Sequence, residues 1–324
     1  MSLVVVGSIA FDSVKTPFGE RERMLGGAAV HFSLAASFFT DVRVVGPVGD
    51  DFGDEQYEVL HGRGVITDDV EHVAGGKTFF WKAHYEYDMN LAHTEDTQLG
   101  VFGEFEPKLS EESRSADNLF LANIQPDVQR GVREQCTETR FAGLDSMNLW
   151  IDTARDSLLK TIAGVDLVFL NDAEVRMLTE QPNLVRAARE IMDMGPSVVV
   201  AKQGEYGAAL FTRDAGEGAQ ADRRSAEHRS GVSFFALPAF PLDTVVDPTG
   251  AGDSFAGGFL GYLAAQDDWQ DDAALRRAMT YGSVLASFNV QEFGTERVAR
   301  LTRDEIDERF ERFREITSLE PAPA

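Results

Sequence analysis

Cysteine is almost missing from this chain of 324 residues, where Cys136 stands alone. One thiol cannot close an intramolecular disulfide and excludes most cysteine-based metal sites, so a cytoplasmic compartment is the simplest expectation. Long apolar runs are missing too. No stretch approaches a membrane span, and Met1-Ser2-Leu3 passes directly into a predicted strand without a signal-peptide layout. Basic residues are scarce: 30 Lys and Arg face 54 Asp and Glu, a formal net charge of −24. Phosphate backbones and anionic membranes attract basic surfaces, so neither nucleic acid nor membrane is an expected partner. The acidity is that of a solvated surface and carries no catalytic meaning.

What is present supports a well-packed interior. Hydrophobic residues make up 43% of the chain, and its length suffices for one large α/β domain with an appendage, or for two small domains. Short apolar runs at 3–6, 42–45, 119–122, 141–144, 167–170 and 198–201 predict buried parallel strands. Helical spacing predicts crossover helices at 29–39, 156–162 and 184–194, and further helices at 273–289 and 304–316. Such βαβ alternation implies a parallel sheet covered on both faces, with ligands at the carboxyl ends of its strands. One region departs from this pattern. In Lys77–Asp88, Phe79, Trp81, Ala83, Tyr85 and Tyr87 fall on one side, and Phe80, Lys82, His84, Glu86 and Asp88 on the other. Period two predicts a half-buried antiparallel strand. The polar stretch 213–230 reads as an exposed excursion, and 318–324 as a frayed tail.

The most informative run is Val246-Asp247-Pro248-Thr249-Gly250-Ala251-Gly252-Asp253-Ser254-Phe255. Residues 242–246 read as the end of a strand. Apolar residues at Phe255, Phe259, Tyr262 and Leu263 then set a helical period. The small-residue turn between them would present backbone N–H groups and the positive end of a helix dipole, an anion site that side chains larger than alanine would block. Asp253 at its mouth repels a resting phosphate, and general-base chemistry on a hydroxyl accounts for its presence. A Gly-rich turn can also be a mere tight connection. No Gly-Lys-Ser/Thr follows the glycines, which excludes a Walker A loop. Gly252-Asp253-Ser254-Phe255-Ala256 nearly matches a nucleophile elbow, but all six histidines precede Ser254, and that elbow needs a later one.

The run 247–255 closely resembles the C-terminal signature of the ribokinase-like (PfkB) carbohydrate kinases. Three further segments resemble that family in order: Gly26-Gly27-Ala28-Ala29-Val30-His31 with Val45–Gly53, Asn171-Asp172-Ala173-Glu174, and Lys202-Gln203-Gly204-Glu205-Tyr206-Gly207. Together they cover residues 3 to about 294. The resemblance implies a ribokinase-like α/β fold, a mostly parallel sheet sandwiched by helices with a small antiparallel β lid. The kinase core would comprise residues 1–12, 26–72 and 106–317, the lid 13–25 and 73–105. It implies γ-phosphoryl transfer from ATP to a hydroxyl of a sugar or sugar-like substrate, with Asp253 as base, kept ionised by the helix N-terminus, and Gly250, Ala251 and Gly252 as the anion hole.

By the same resemblance, Asn171 and Glu174 organise Mg²⁺ through water, and Lys202, Gly204 and Gly207 line the nucleotide. Asp12, Gly26, Gly27, His31 and Gln125 meet the substrate. A monovalent cation such as K⁺ is expected near Asp247 and the loop around Gly294. Asp12 and the paired glycines are equally compatible with turn-forming roles, and His31 with plain packing. Ribokinase itself carries Asn where this chain has Ala10 and His31, which removes two amides and argues against ribose. A nucleoside kinase is the nearest alternative, favoured by the aromatic lid. A catalytically silent binding protein on the same fold is the alternative from another class. The aromatic lid face would serve either as substrate cover or as the interface of a homodimer.

Overall fold

The computed structural model describes residues 1–213 and 232–318. The expected excursion therefore lies, from residue 214 on, outside the described residues, as does the tail beyond Ser318. Thirteen strands are described, and we number them in chain order. They are β1 Ser2–Val6, β2 Ala10–Thr16, β3 Gly19–Gly26, β4 Asp41–Val48, β5 Ile66–His72, β6 Phe79–Tyr85 and β7 Ala92–Gln98. The chain continues with β8 Asn118–Leu121, β9 Phe141–Asp145, β10 Leu167–Asn171, β11 Val198–Lys202, β12 Ala208–Arg213 and β13 Val232–Leu237.

Nine of these form one sheet in the order β13-β12-β11-β10-β9-β8-β1-β4-β5. All neighbours from β5 to β11 pair in parallel, and β12 and β13 close that edge antiparallel. The apolar runs alternate faces, as strands buried on both sides must. Leu167 and Phe169 of β10 join one core cluster, and Val168 and Leu170 the other. The first cluster lies under the helices Ala28–Ala36, Ala251–Ala264 and Asp272–Asn289. The second lies under Pro126–Gln135, Arg155–Ile162, Asp172–Thr179 and Leu184–Met194. The helix Ala251–Ala264 is wedged between its neighbours. A Cβ on Gly257 would come within 2.4 Å of the Phe32 carbonyl oxygen. Close approach there sets the depth at which the helix N-terminus meets the carboxyl edge of the sheet.

Two expectations are corrected. No strand precedes that helix: residues 238–250 are irregular, because Pro238 and Pro241 cannot donate to a ladder. Val246 and Asp247 instead donate to the Val290 carbonyl, at 2.7 and 3.3 Å. The period-two strand ends at Tyr85, and Tyr87 lies beyond it, 92% exposed.

The small sheet has the order β3-β2-β6-β7. Its β2–β3 and β6–β7 pairs are antiparallel as expected, whereas the central β2–β6 pair is parallel. β2 begins at Ala10, so Asp12 rides on the small sheet rather than on the core.

Candidate active site

The carboxyl ends of β9, β10 and β11 meet the N-terminus of Ala251–Ala264. Gly250 caps that helix at φ 74°, a left-handed conformation, and no side chain caps it. A Cβ at Gly250 would lie 2.3–2.4 Å from three ring atoms of His31, so only glycine fits. Asp247, fully buried, clamps the loop: Oδ1 accepts from the Thr249 N–H and Oδ2 from the Gly294 N–H, both at 2.9 Å. Burial raises its pKa, and these bonds oppose the rise. A helix start of this kind, free of side-chain caps, takes an anion.

Around this turn stand three carboxylates and one lysine. Lys202, at the end of β11, reaches Asp145, at the end of β9, with Nζ–Oδ2 at 2.7 Å. The same Nζ lies 3.1 Å from where a Gly252 Cβ would be. Burial works against the lysine charge, but Asp145, Glu174 and Asp253 outweigh it and shift its pKa upward. Asp253 behaves differently from expectation. Burial, with Asp145 adding repulsion, raises its pKa to about 7, against the pull of Lys202 and its own backbone N–H. Desolvation outweighs the helix N-terminus. Burial also lifts Glu174 to about 7.

Beside the Gly26–Gly27 pair, Asp12 is buried and raised to about 7 by burial, then by Asp247 and Asp253. Its Oδ2 occupies the space a Gly26 Cβ would need, at 2.0 Å. Gly27 holds φ 96° with the Ser8 carbonyl oxygen 2.4 Å from a would-be Cβ. The Asp12 side chain thus excludes any side chain at Gly26, and the backbone of Ser8 and Ala10 excludes one at Gly27. His31 is buried, and its Nδ1 lies 3.0 Å from Asn289 Oδ1. Burial lowers its pKa to about 4, so the ring is neutral at pH 7.

Other expected residues turn out to have structural partners. Asn171 and Glu174 form a reciprocal capping box: Asn171 Oδ1 accepts from the Glu174 N–H at 2.7 Å, and Glu174 Oε2 from the Asn171 N–H at 2.8 Å. Gln125 caps the helix Pro126–Gln135 through Val128 and also donates to Asp127. At Gly207 the Leu237 carbonyl oxygen fills the side-chain space, 2.0 Å from a would-be Cβ, so this glycine serves the turn into β12. A Cβ at Gly204, which holds φ 56°, would lie 3.1 Å from Asn90 Oδ1 in the loop between β6 and β7.

Three further residues stand at the site, of which the sequence reading singles out only Tyr85, as part of the aromatic lid face. Asp145 ends a predicted strand at the edge where ligands collect, which is a usable signal. Tyr85 donates or accepts at Thr249 Oγ1, 3.2 Å away, from the small sheet. Asn289 lies outside every motif. Among the described residues no group of three or more His, Cys, Asp or Glu side chains is arranged to hold a metal ion. The oxygen donors Glu174 and Asp145 nevertheless suit Mg²⁺, which keeps several waters and binds largely through substrate phosphates.

The arrangement is that of a phosphotransferase, and comparison with known proteins agrees. Residues 2–300 match the pfkB family carbohydrate kinases. A cytidine kinase from Thermococcus kodakarensis is 29% identical over 80% of this chain and 87% of its own length. A nucleoside kinase from Methanothermobacter thermautotrophicus is 26% identical over 91% of each chain. The structure of Arabidopsis thaliana ribokinase with ribose and ATP superposes with a TM-score of 0.72 at 19% identity, covering 95% of this chain and 98% of that one. The chain belongs to the pfkB family of carbohydrate kinases, with the ribokinase fold. It is a phosphotransferase with an alcohol acceptor, an ATP-dependent sugar or nucleoside kinase. Among the described residues no helix is long and apolar enough to cross a membrane.

Proposed function

We propose that the enzyme transfers the γ-phosphoryl group of ATP to a sugar hydroxyl of a nucleoside. The observation that carries the chemistry is Asp253 in the first turn of an uncapped helix, behind the Gly250-Ala251-Gly252 turn and beside the Lys202–Asp145 pair. Asp253 orients the acceptor hydroxyl and takes its proton as the new O–P bond forms and ADP departs. A base with a pKa near the working pH is well matched to that task. The backbone N–H groups of Gly252 and Asp253 stabilise charge on the transferring group, while the Ala251 N–H donates to the Pro248 carbonyl oxygen at 3.2 Å and holds the turn; phosphoryl transfer depends chiefly on such positioning. Glu174 and Asp145 would hold Mg²⁺ through water, and the ion would supply further charge neutralisation. Lys202 and Gly204 face the nucleotide, and Asp12 with the Gly26-Gly27 backbone receives the sugar hydroxyls. A monovalent cation beside Asp247 would offset its buried charge.

The small sheet acts as a lid, with Tyr85 reaching the Thr249 loop. Expelling water in this way favours transfer over hydrolysis of ATP. The nucleoside assignment is drawn from the likeness to a cytidine kinase and a nucleoside kinase. ADP release across a panel of nucleosides and free sugars tests it. Nucleoside-dependent release is the expected result. Turnover with free sugars alone would reassign the acceptor, and no acceptor-dependent release would leave only a binding protein.

A further inference from the structure

Asn289 ends the helix Asp272–Asn289 and is fully buried, one helix away from the turn that carries Asp253. Its amide makes three hydrogen bonds. Nδ2 faces the Thr249 carbonyl oxygen at 2.7 Å. Oδ1 faces Ser254 Oγ and His31 Nδ1, each at 3.0 Å. A carbonyl can only accept, so the nitrogen must point at Thr249 and the oxygen at the other two groups. Oδ1 then accepts twice, which obliges Ser254 to donate its hydroxyl proton and His31 to carry its proton on Nδ1. His31 Nε2 is left as a buried acceptor without a partner among the described residues.

The three groups bound by this one amide bracket Gly250 on every side: Thr249 precedes it, Ser254 follows one turn later, and the His31 ring fills its side-chain space. We propose that Asn289 is a positioning residue for the phosphate turn, holding Gly250 in its left-handed conformation and fixing His31 as the Nδ1–H tautomer packed against it. Asn289 touches none of the reacting groups. Its part is to tie the end of one helix to the start of another, so that the N–H donors of residues 252 and 253 and the Asp253 carboxylate keep one geometry. The inference builds on the kinase reading for its catalytic consequence, and stands on geometry for its structural one.

The ligand-free wild-type enzyme, labelled with ¹⁵N, gives the first test: imidazole ¹H–¹⁵N correlations report each tautomer. His31 is expected as Nδ1–H with an unprotonated Nε2, and an Nε2–H tautomer would overturn the proposal whether or not the kinase reading holds. Two variants give the second test. Asn289→Asp keeps both acceptor contacts but faces the Thr249 carbonyl with a carboxylate, so His31 retains its Nδ1 proton while kcat drops about ten- to a hundredfold, as misplacement of a reacting group does. KM for ATP should change far less. Asn289→Leu should lose both the Nδ1 signature and kcat. A folded Asn289→Asp enzyme with wild-type kcat would overturn the positioning role, and this variant decides the matter if Asn289→Leu does not fold.

Discussion

Replacing Gly250 by alanine demands two things that the fold cannot supply. The residue sits at φ 74°, where an L-residue costs about 1–2 kcal/mol. Its new methyl would also lie 2.3–2.4 Å from Nδ1, Cε1 and Cγ of His31. That ring cannot easily swing aside, being buried and bonded to Asn289. Overpacking of this kind costs about 1–3 kcal/mol, so the total is about 2–5 kcal/mol, a large part of typical domain stability. Urea unfolding would read it as a lower midpoint at unchanged slope. A double-mutant cycle with His31→Ala separates the parts. Removing the ring relieves the steric part and leaves the backbone part, so the two substitutions should couple by about 1–3 kcal/mol. A loss below about 0.5 kcal/mol, or strict additivity with His31→Ala, would refute the packing of His31 beneath the turn.

Three further outcomes follow from the same geometry. Asp253→Asn should retain ATP binding, measured by calorimetry, while acceptor-dependent ADP release drops by about 10²–10⁴; comparable turnover would remove Asp253 as the base. In kcat/KM profiles, activity should rise with pH through about 7, because Asp253 must lose a proton and its pKa stands near there. Asp145→Asn removes a charge that raises this pKa, so the acid limb should move to lower pH, and a shift upward would contradict the placement of Asp145. Stability without ligands should respond in the opposite sense. Asp12, Asp253 and Glu174 all have folded pKa values near 7, above the ordinary carboxylate range, so the folded state holds protons that the unfolded state releases. Their contribution is fully present below about pH 4 and disappears as pH rises through 7, so the ligand-free Tm should drop between pH 5 and 8. A Tm climbing steadily over that interval would rule this out.

Much of the fold was legible because short-range patterns follow from local geometry. The strands β1, β9, β10 and β11 lie within a residue of the apolar runs that predict them, and the helix Leu184–Met194 matches its expected span. The irregular stretch before Gly250 reads in sequence as a strand end because Val245 and Val246 are strand formers, while the Val246 and Asp247 N–H groups actually donate to the carbonyl of residue 290. The parallel β2–β6 pairing was hidden for a related reason: period two reveals a strand but not the direction of its neighbour. Only the tertiary structure shows that Gln125 caps a helix and that Gly207 avoids a backbone clash with Leu237.

The order of small residues, prolines and carboxylates along the chain was enough to establish the α/β class, the turn at 250–252 and the aspartate beside it, since turns and helix starts obey rules that act over a few residues. Which charges face one another was settled only in three dimensions. Asp145 and Lys202 are 57 positions apart, and His31 and Asn289 are 258. Burial and proximity set proton affinities, and both depend on the packing of distant segments. That is why Asp253, next to a helix N-terminus that favours its charge, nevertheless holds its proton to about pH 7.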